Sequence, residues 1–152
     1  MPGTIVVGVD GSPPSREALR WAAEEARLRQ ARLVAVHAWA FIPPAPVGEP
    51  GMIPVPVGDY AGQLEAERAA AQAELEAALA DAFPEGPAVE IETRLVEGDA
   101  AEVLEEEAKS ADLLVVGSKG RSGIASVLLG SVSRHVIDHA PCPVVVVKAP
   151  RR

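Results

Sequence analysis

Short apolar runs alternate with helical segments along the chain, and this alternation constrains the fold more than any other feature. Five runs are rich in Val, Ile and Leu and have the length of strands: 5–9, 32–38, 89–96, 113–116 and 144–147. Four intervening segments show helical spacing of apolar residues: 13–30, 60–82, 100–110 and 131–139. Strands that alternate with helices form parallel sheets. We therefore predict an α/β fold with helices on both faces, in a single domain over 1–152.

Composition excludes several classes of protein. Hydrophobic residues make up 48% of the chain and charged residues 24%, which are ordinary globular values. Aromatic residues are only 3%, too few for a base-stacking surface. Cys142 is the single cysteine, so an intramolecular disulfide is excluded. The sequence shows neither a signal-peptide pattern nor an apolar stretch of membrane-spanning length, which predicts a cytoplasmic protein with no membrane partner.

The charge is strongly acidic overall but unevenly distributed. Fourteen basic and 22 acidic residues give a net charge of −8, which disfavours nucleic acids and anionic membranes as partners. Residues 118–152 carry six basic side chains and one acidic one, whereas residues 1–117 carry eight and 21. The cationic stretch is therefore compatible with a small anion bound locally.

A segment rich in proline and glycine over 41–59 interrupts the pattern of strands and helices. It is longer than most loops of compact domains, which are usually short unless they are functional or mobile. Its apolar residues Met52, Ile53, Val55 and Val57 allow it to fold over a ligand as a lid. A tolerated surface insertion is the alternative interpretation.

A second segment rich in glycine and serine follows the fourth predicted strand, where parallel sheets bind ligands. Glycines let backbone N–H groups approach a ligand, and successive N–H groups form an anion site. The helix predicted to begin at Ser131 would add its free N–H groups and its dipole. We therefore predict a phosphate site, with a flexible linker as the alternative. The residues of this site are Gly117, Ser118, Lys119, Gly120, Arg121, Gly130, Ser131, Val132 and Ser133.

The spacing of the glycines matches neither a Walker A loop nor a Gly-x-Gly-x2-Gly fingerprint. Instead, Gly117-x2-Gly120-x9-Gly130-Ser131 resembles the nucleotide-binding motif of the universal stress protein family, Gly-x2-Gly-x9-Gly-Ser/Thr. The segments 6–12, 33–38 and 141–147 also resemble the first, second and fifth strands of that family. Apart from the segment at 41–59, the resemblance extends over nearly the whole chain.

The resemblance implies a Rossmann-like fold of the adenine nucleotide alpha hydrolase type, with strand order 3-2-1-4-5. It also implies that the cofactor is ATP, with or without Mg²⁺, and that homodimers form through the last strand (144–148). Gly8 belongs to the implied site, and Asp10 would contact ribose or the metal–phosphate end. The backbone of Ala38 would bind adenine, and Ser131 and Ser133 would donate hydrogen bonds to phosphates.

Two functions remain open from the sequence: a nucleotide-dependent stress regulator, and a slow ATP hydrolase or other enzyme that uses the same pocket. A flavoprotein domain is a third alternative with similar architecture. Asp10 could act as a general base or as a turn residue. His135 and His139, four residues apart, form a possible metal pair, but partly exposed helix residues are the favoured interpretation and no metal site is predicted. His37 and Cys142 are interpreted as structural.

Overall fold

Strands and helices alternate along the chain as the sequence predicts. The computed structural model describes residues 2–42, 50–51, 60–120 and 128–150. The elements are β1 (Thr4–Gly8), α1 (Pro13–Arg29), β2 (Arg32–Trp39), α2 (Tyr60–Ala82), β3 (Ile91–Glu97), α3 (Ala100–Ala108), β4 (Leu113–Gly117), α4 (Ser131–His139) and β5 (Val144–Val147).

The five strands form one parallel sheet in the order β3-β2-β1-β4-β5, so the predicted order is confirmed. From β1 the chain first moves outward through β2 to β3, and then returns to the other side of β1 as β4. The strand order therefore reverses between β1 and β4. In open α/β sheets, ligands bind at such a reversal, beyond the carboxyl ends of the strands.

Each face of the sheet has its own apolar core. On one face, α1 and α2 bury Leu19 and Leu75 against alternate residues of the central strands. On the other face, α3 and α4 bury Leu104 and Val136 in the same way. The predicted helices on both faces are therefore confirmed. Because β1 is fully covered on both sides, its Ile5 to Val7 segment is continuously apolar, as is typical of a central parallel strand.

Side chains cap two of the helices at their N-termini but leave a third without such a cap. The Ser12 hydroxyl accepts a hydrogen bond from the Ser15 N–H at the start of α1, and the Asp99 carboxylate accepts one from Glu102 N–H at the start of α3. The N-cap of α4 is Gly130, which has no side chain to bond the first N–H groups. These groups of α4 are consequently left for another acceptor.

Several predicted boundaries shift by one residue, and two shift by more than that. The strand predicted from residue 89 begins at Ile91, because Ile91 pairs with Leu33 near the start of β2 and earlier residues have little strand beside them. The helix predicted to residue 110 ends at Ala108. Most of the segment at 41–59 lies outside the described residues, so the lid and insertion interpretations are not tested. In the described parts, no helix is long and apolar enough to cross a membrane.

Candidate nucleotide site

A cavity of about 510 Å³ opens at the carboxyl ends of β1, β2 and β4, where the strand order reverses. Ten of the twelve site residues predicted from the sequence line it, although they come from four separate parts of the chain. These ten are Gly8, Asp10, Ala38, Gly117, Lys119, Gly120, Gly130, Ser131, Val132 and Ser133. The fold thus brings the predicted residues together at one place.

The other two predicted residues have different positions. Arg121 lies outside the described residues. Ser118 is only 4% exposed and is not among the residues that line the cavity. Its N–H donates to the Val147 carbonyl, at 2.8 Å, and its carbonyl accepts from the Gly130 N–H, at 2.7 Å. Ser118 therefore joins β5 and the start of α4 to the end of β4, and closes the base of the glycine-rich segment (118–130).

The N-terminus of α4 faces the cavity with its backbone donors. Ser131, Val132 and Ser133 occupy the first turn and line the cavity. The Ser133 hydroxyl is buried and directed to the carbonyls of Ser118 and Gly130, at 3.1 and 3.0 Å, so it supports the turn. The exposed Ser131 and the backbone N–H groups are the donors better suited to an anion. The helix dipole adds to the attraction.

The three glycines of the motif have different physical reasons to lack a side chain. A Cβ on Gly117 would lie 2.8 Å from the backbone of Pro14 and Ser15, so this glycine permits close packing of α1 on β4. A Cβ on Gly120 would lie 2.9 Å from Asp10 Oδ2. A Cβ on Gly130 would find only ordinary contacts, at 3.4 Å or more. Gly130 is therefore the one of the three that the surrounding protein does not require to be glycine.

Asp10 presents one carboxylate oxygen to the glycine-rich segment and holds the other in a local network. Its Oδ1 accepts from the Ser12 N–H and the Ser12 hydroxyl, at 2.9 and 2.5 Å. The Ser12 hydroxyl also lies 3.3 Å from the Lys119 carbonyl. Asp10 Oδ2 lies beside Gly120, as its distance to the position of a Gly120 Cβ shows. The network fixes the orientation of the carboxylate in the cavity.

At the other side of the cavity, β2 extends beyond its pairing with β1. The last hydrogen bond between β2 and the chain that follows β1 is donated by the Val9 N–H to the Val36 carbonyl, at 2.8 Å. Alternate residues of a strand direct their backbone groups to the same neighbour, and Trp39 O already bonds Gly98 N on the β3 side. The backbone N–H and C=O of Ala38 are thus directed to the β1 side, beyond Val9 and toward the cavity.

His37 and Glu74 form part of the cavity wall next to Ala38. His37 Nδ1 lies 2.8 Å from the Val9 carbonyl, and Nε2 lies 3.3 Å from Glu74 Oε2. His37, which the sequence analysis interprets as structural, therefore also lines the cavity. Sequence reasoning missed Glu74 because a single Glu on an acidic helix carries no distinguishing signal.

Other titratable groups lie away from the cavity. His135 Nε2 lies 2.7 Å from Glu105 Oε2, and this hydrogen bond lowers the pKa of the Glu105 carboxyl. The rings of His135 and His139 are stacked. Within the described residues, no group of three or more His, Cys, Asp or Glu side chains could hold a metal ion. Cys142 packs against the core beside α4, and burial raises the pKa of its thiol.

Known proteins are similar to this chain in sequence over nearly its whole length. Residues 1–148 match the profile of the universal stress protein family. A universal stress protein of Mycolicibacterium smegmatis is 39% identical over 144 residues, which are 95% of this chain and 45% of that protein. The chain spans about half the length of the curated relatives it matches.

Three solved structures have similar folds. UspA from Lactobacillus plantarum has a TM-score of 0.71 at 29% identity, covering 95% of this chain and 97% of that chain. A universal stress protein in complex with cAMP has a TM-score of 0.59 at 32% identity, over 98% of both chains. A universal stress protein from Archaeoglobus fulgidus in complex with dAMP has a TM-score of 0.53 at 26% identity, over 97% and 98%.

The sequence and structural comparisons agree over nearly the whole chain. The family profile covers all nine strands and helices of the described residues, and the solved structures match the sheet that they form. The chain therefore belongs to the universal stress protein family.

Proposed function

We propose that this protein binds an adenine nucleotide, with ATP as the expected ligand, in the cavity at the carboxyl ends of β1, β2 and β4. In this proposal the bound nucleotide regulates the contacts of the protein with its partners in a cytoplasmic stress response. The two related structures with cAMP and dAMP support an adenine nucleotide as the class of ligand. The shape and donors of the cavity in this chain support it independently.

The observation that carries the proposal is the pair of backbone features on opposite sides of the cavity. The α4 N-terminus supplies N–H groups without a side-chain cap, which suit a phosphate. The Ala38 backbone supplies one donor and one acceptor in the geometry of a strand edge, which suits the N1 and 6-amino groups of adenine. Because β1 lies between β2 and β4, these two features are two strand spacings apart, or roughly 10 Å at about 4.8 Å per spacing. A nucleotide places ribose between its base and its phosphate in the same way.

The phosphate side of the cavity has both a basic and an acidic side chain, and a bound nucleotide would be negatively charged. Lys119 lies on the phosphate side of the cavity, and Asp10 directs a carboxylate oxygen there as well. Mg²⁺ usually binds through one or two carboxylates together with substrate phosphates. Asp10 is suited to that role, and the metal would then neutralise charge between its carboxylate and a triphosphate.

The test is to identify and titrate the ligand. Mass spectrometry of the purified protein should find an adenine nucleotide, and calorimetry should give binding of ATP. Lys119→Gln should weaken ATP binding more than AMP binding, because ATP carries more charge near the lysine. Lys109→Gln is the matched control, since Lys109 is the C-cap of α3 and pairs with Glu106. Absence of any adenine nucleotide binding to the unmodified protein would overturn the proposal.

We further propose that two copies associate through the last strand. β5 is an edge strand of four partly exposed valines. The other edge, β3, carries the charged side chains of Glu92 and Arg94, which are paired with one another and with Arg32 and Glu107. An apolar edge without such charges favours pairing with another strand, whereas charged residues disfavour it.

The strand register gives a selective test of this association. The Pro143 and Val147 carbonyls accept hydrogen bonds from the N–H groups of Leu114 and Ser118, in and just after β4. The alternate residues Val144 and Val146 therefore direct their backbone groups outward. Val146→Pro removes an outward N–H and leaves the β4 pairing intact, because proline is tolerated on edge strands. Sedimentation should show a dimer for the unmodified chain and a monomer for the variant. A monomer in both at high micromolar concentration would exclude this interface.

A further inference from the structure

The wall of the cavity includes a carboxylate on the side of β2, where α2 packs on the sheet. Glu74 lines the cavity from α2 and is separated from α4 by β2, β1 and β4. A carboxylate near a phosphate would repel it, but at the opposite end it can accept hydrogen bonds from a ligand. Its position therefore has a direct consequence for which nucleobases fit.

His37 orients the Glu74 carboxylate. The Val9 carbonyl can only accept, so Nδ1 of His37 carries the proton of the 2.8 Å contact between them. Nε2 of the same ring lies 3.3 Å from Glu74 Oε2 and donates to it when the ring carries a second proton, because a carboxylate only accepts. The His37 side chain is 9% exposed and is held by the sheet, whereas the Glu74 side chain is 45% exposed. In that doubly protonated form, the buried ring holds the exposed carboxylate at the cavity wall.

We propose that Glu74 is a specificity-determining residue that selects nucleotides with an amino group at the 6-position of the purine. This proposal rests on the nucleotide-binding function proposed above. The 6-amino group has two hydrogens: one suits the Ala38 carbonyl, and the other suits the Glu74 carboxylate. A 6-oxo purine presents lone pairs in the same place, which a carboxylate repels. His37 is the positioning residue for this contact.

The proposal is tested by comparing AMP with IMP, which differ at the 6-position. In the unmodified protein AMP should bind more tightly than IMP. Glu74→Gln should lower the AMP/IMP affinity ratio about tenfold, the size expected for a lost hydrogen bond to a charged group, because the neutral amide can also donate to a 6-oxo group. Part of the preference should remain, since the Ala38 backbone is unchanged.

Glu76→Gln is the matched control. Glu76 lies two residues away on the same helix, is exposed, and accepts a hydrogen bond from Gln72. The variant removes the same charge from α2 and should leave the AMP/IMP ratio unchanged. Glu74→Asp, which keeps the charge but shortens the side chain, should lower the ratio by less than Glu74→Gln. This second variant also tests the proposal if Glu74→Gln fails to fold.

The role of His37 has its own readout. His37→Gln should lower the AMP/IMP ratio toward that of Glu74→Gln, whereas a purely structural role would weaken both ligands equally. An unchanged ratio in both Glu74 variants, or an equal loss of AMP and IMP binding, would overturn the inference and leave nucleotide binding intact. If the unmodified protein binds no adenine nucleotide, the proposed function fails and this inference fails with it.

Discussion

Gly117→Ala should lower the free energy of unfolding of the protein even when no ligand is bound. The added Cβ would lie 2.8 Å from Pro14 C and Ser15 N, whereas ordinary contacts begin near 3.4 Å. Both atoms belong to the backbone at the start of α1, so a rotamer change cannot relieve the clash, and α1 must shift by about half an ångström against β4. Overpacking of this kind costs about 1–3 kcal/mol.

Gly130→Ala is the comparison within the same motif. Its added Cβ has no contact under 3.4 Å, and the φ of −75° at Gly130 suits any residue. A less flexible unfolded chain adds about 0.4–1 kcal/mol of stability, and the poorer helix cap removes a similar amount. We therefore expect its free energy of unfolding to stay within about 0.5 kcal/mol of the unmodified chain.

Urea unfolding followed by circular dichroism measures both variants directly. A loss of 1–3 kcal/mol in Gly117→Ala corresponds to a fall in Tm of about 2–4 °C per kcal/mol for a chain of this length. Equal stabilities of the two variants would refute the assignment of Gly117 to helix packing. A loss in Gly130→Ala alone would refute the assignment of both glycines.

Three further predictions concern the single residues Ser12, Glu105 and Cys142. Ser12→Ala should reduce the free energy of unfolding by about 1 kcal/mol through loss of the α1 cap, and should also weaken nucleotide binding by freeing Asp10; thermal denaturation and calorimetry separate the two effects. Because His135 lowers the pKa of Glu105, their contact stabilises the fold above the ordinary Glu pKa of 4.5 and is lost as pH falls through the lowered value. Stability measured between pH 6 and 3 should therefore fall less steeply in Glu105→Gln. Because burial raises the pKa of Cys142, iodoacetamide should modify this thiol slowly at pH 8 and faster in urea, as mass spectrometry would detect.

The strands and helices themselves are predictable from the sequence because each has a strong local signal. Ser12 and Pro13 mark the start of α1, and the continuous apolar run at 113–116 marks a central strand. The neighbours of each strand in the sheet have no local signal of this kind. The strand order is therefore predicted through the resemblance to a family. The late start of β3 at Ile91 depends on where β2 begins, which periodicity alone does not specify.

The candidate site is less predictable from the sequence than the fold, because the type of a residue does not reveal where its side chain points. Ser118 and Ser133 have the hydroxyls that a phosphate site uses, but the fold buries both, and the Ser133 hydroxyl bonds backbone carbonyls. Gly117 belongs to the motif, yet its packing against α1 already explains it. Glu74 lies nearly forty residues from its partner His37, and only the packing of α2 against the sheet brings them together.

The base of the glycine-rich segment (118–130) has a consequence for how the family can vary. The Ser118 carbonyl accepts hydrogen bonds from both the Gly130 N–H and the Ser133 hydroxyl, so the two ends of the segment are joined directly. The position of α4 is then set by these bonds and not by the chain between them. The residues between Gly120 and Gly130 can therefore change in identity without moving the helix, whereas the motif fixes their number. Evolution can therefore substitute residues of this segment while the N-terminus of α4 stays in register with the sheet.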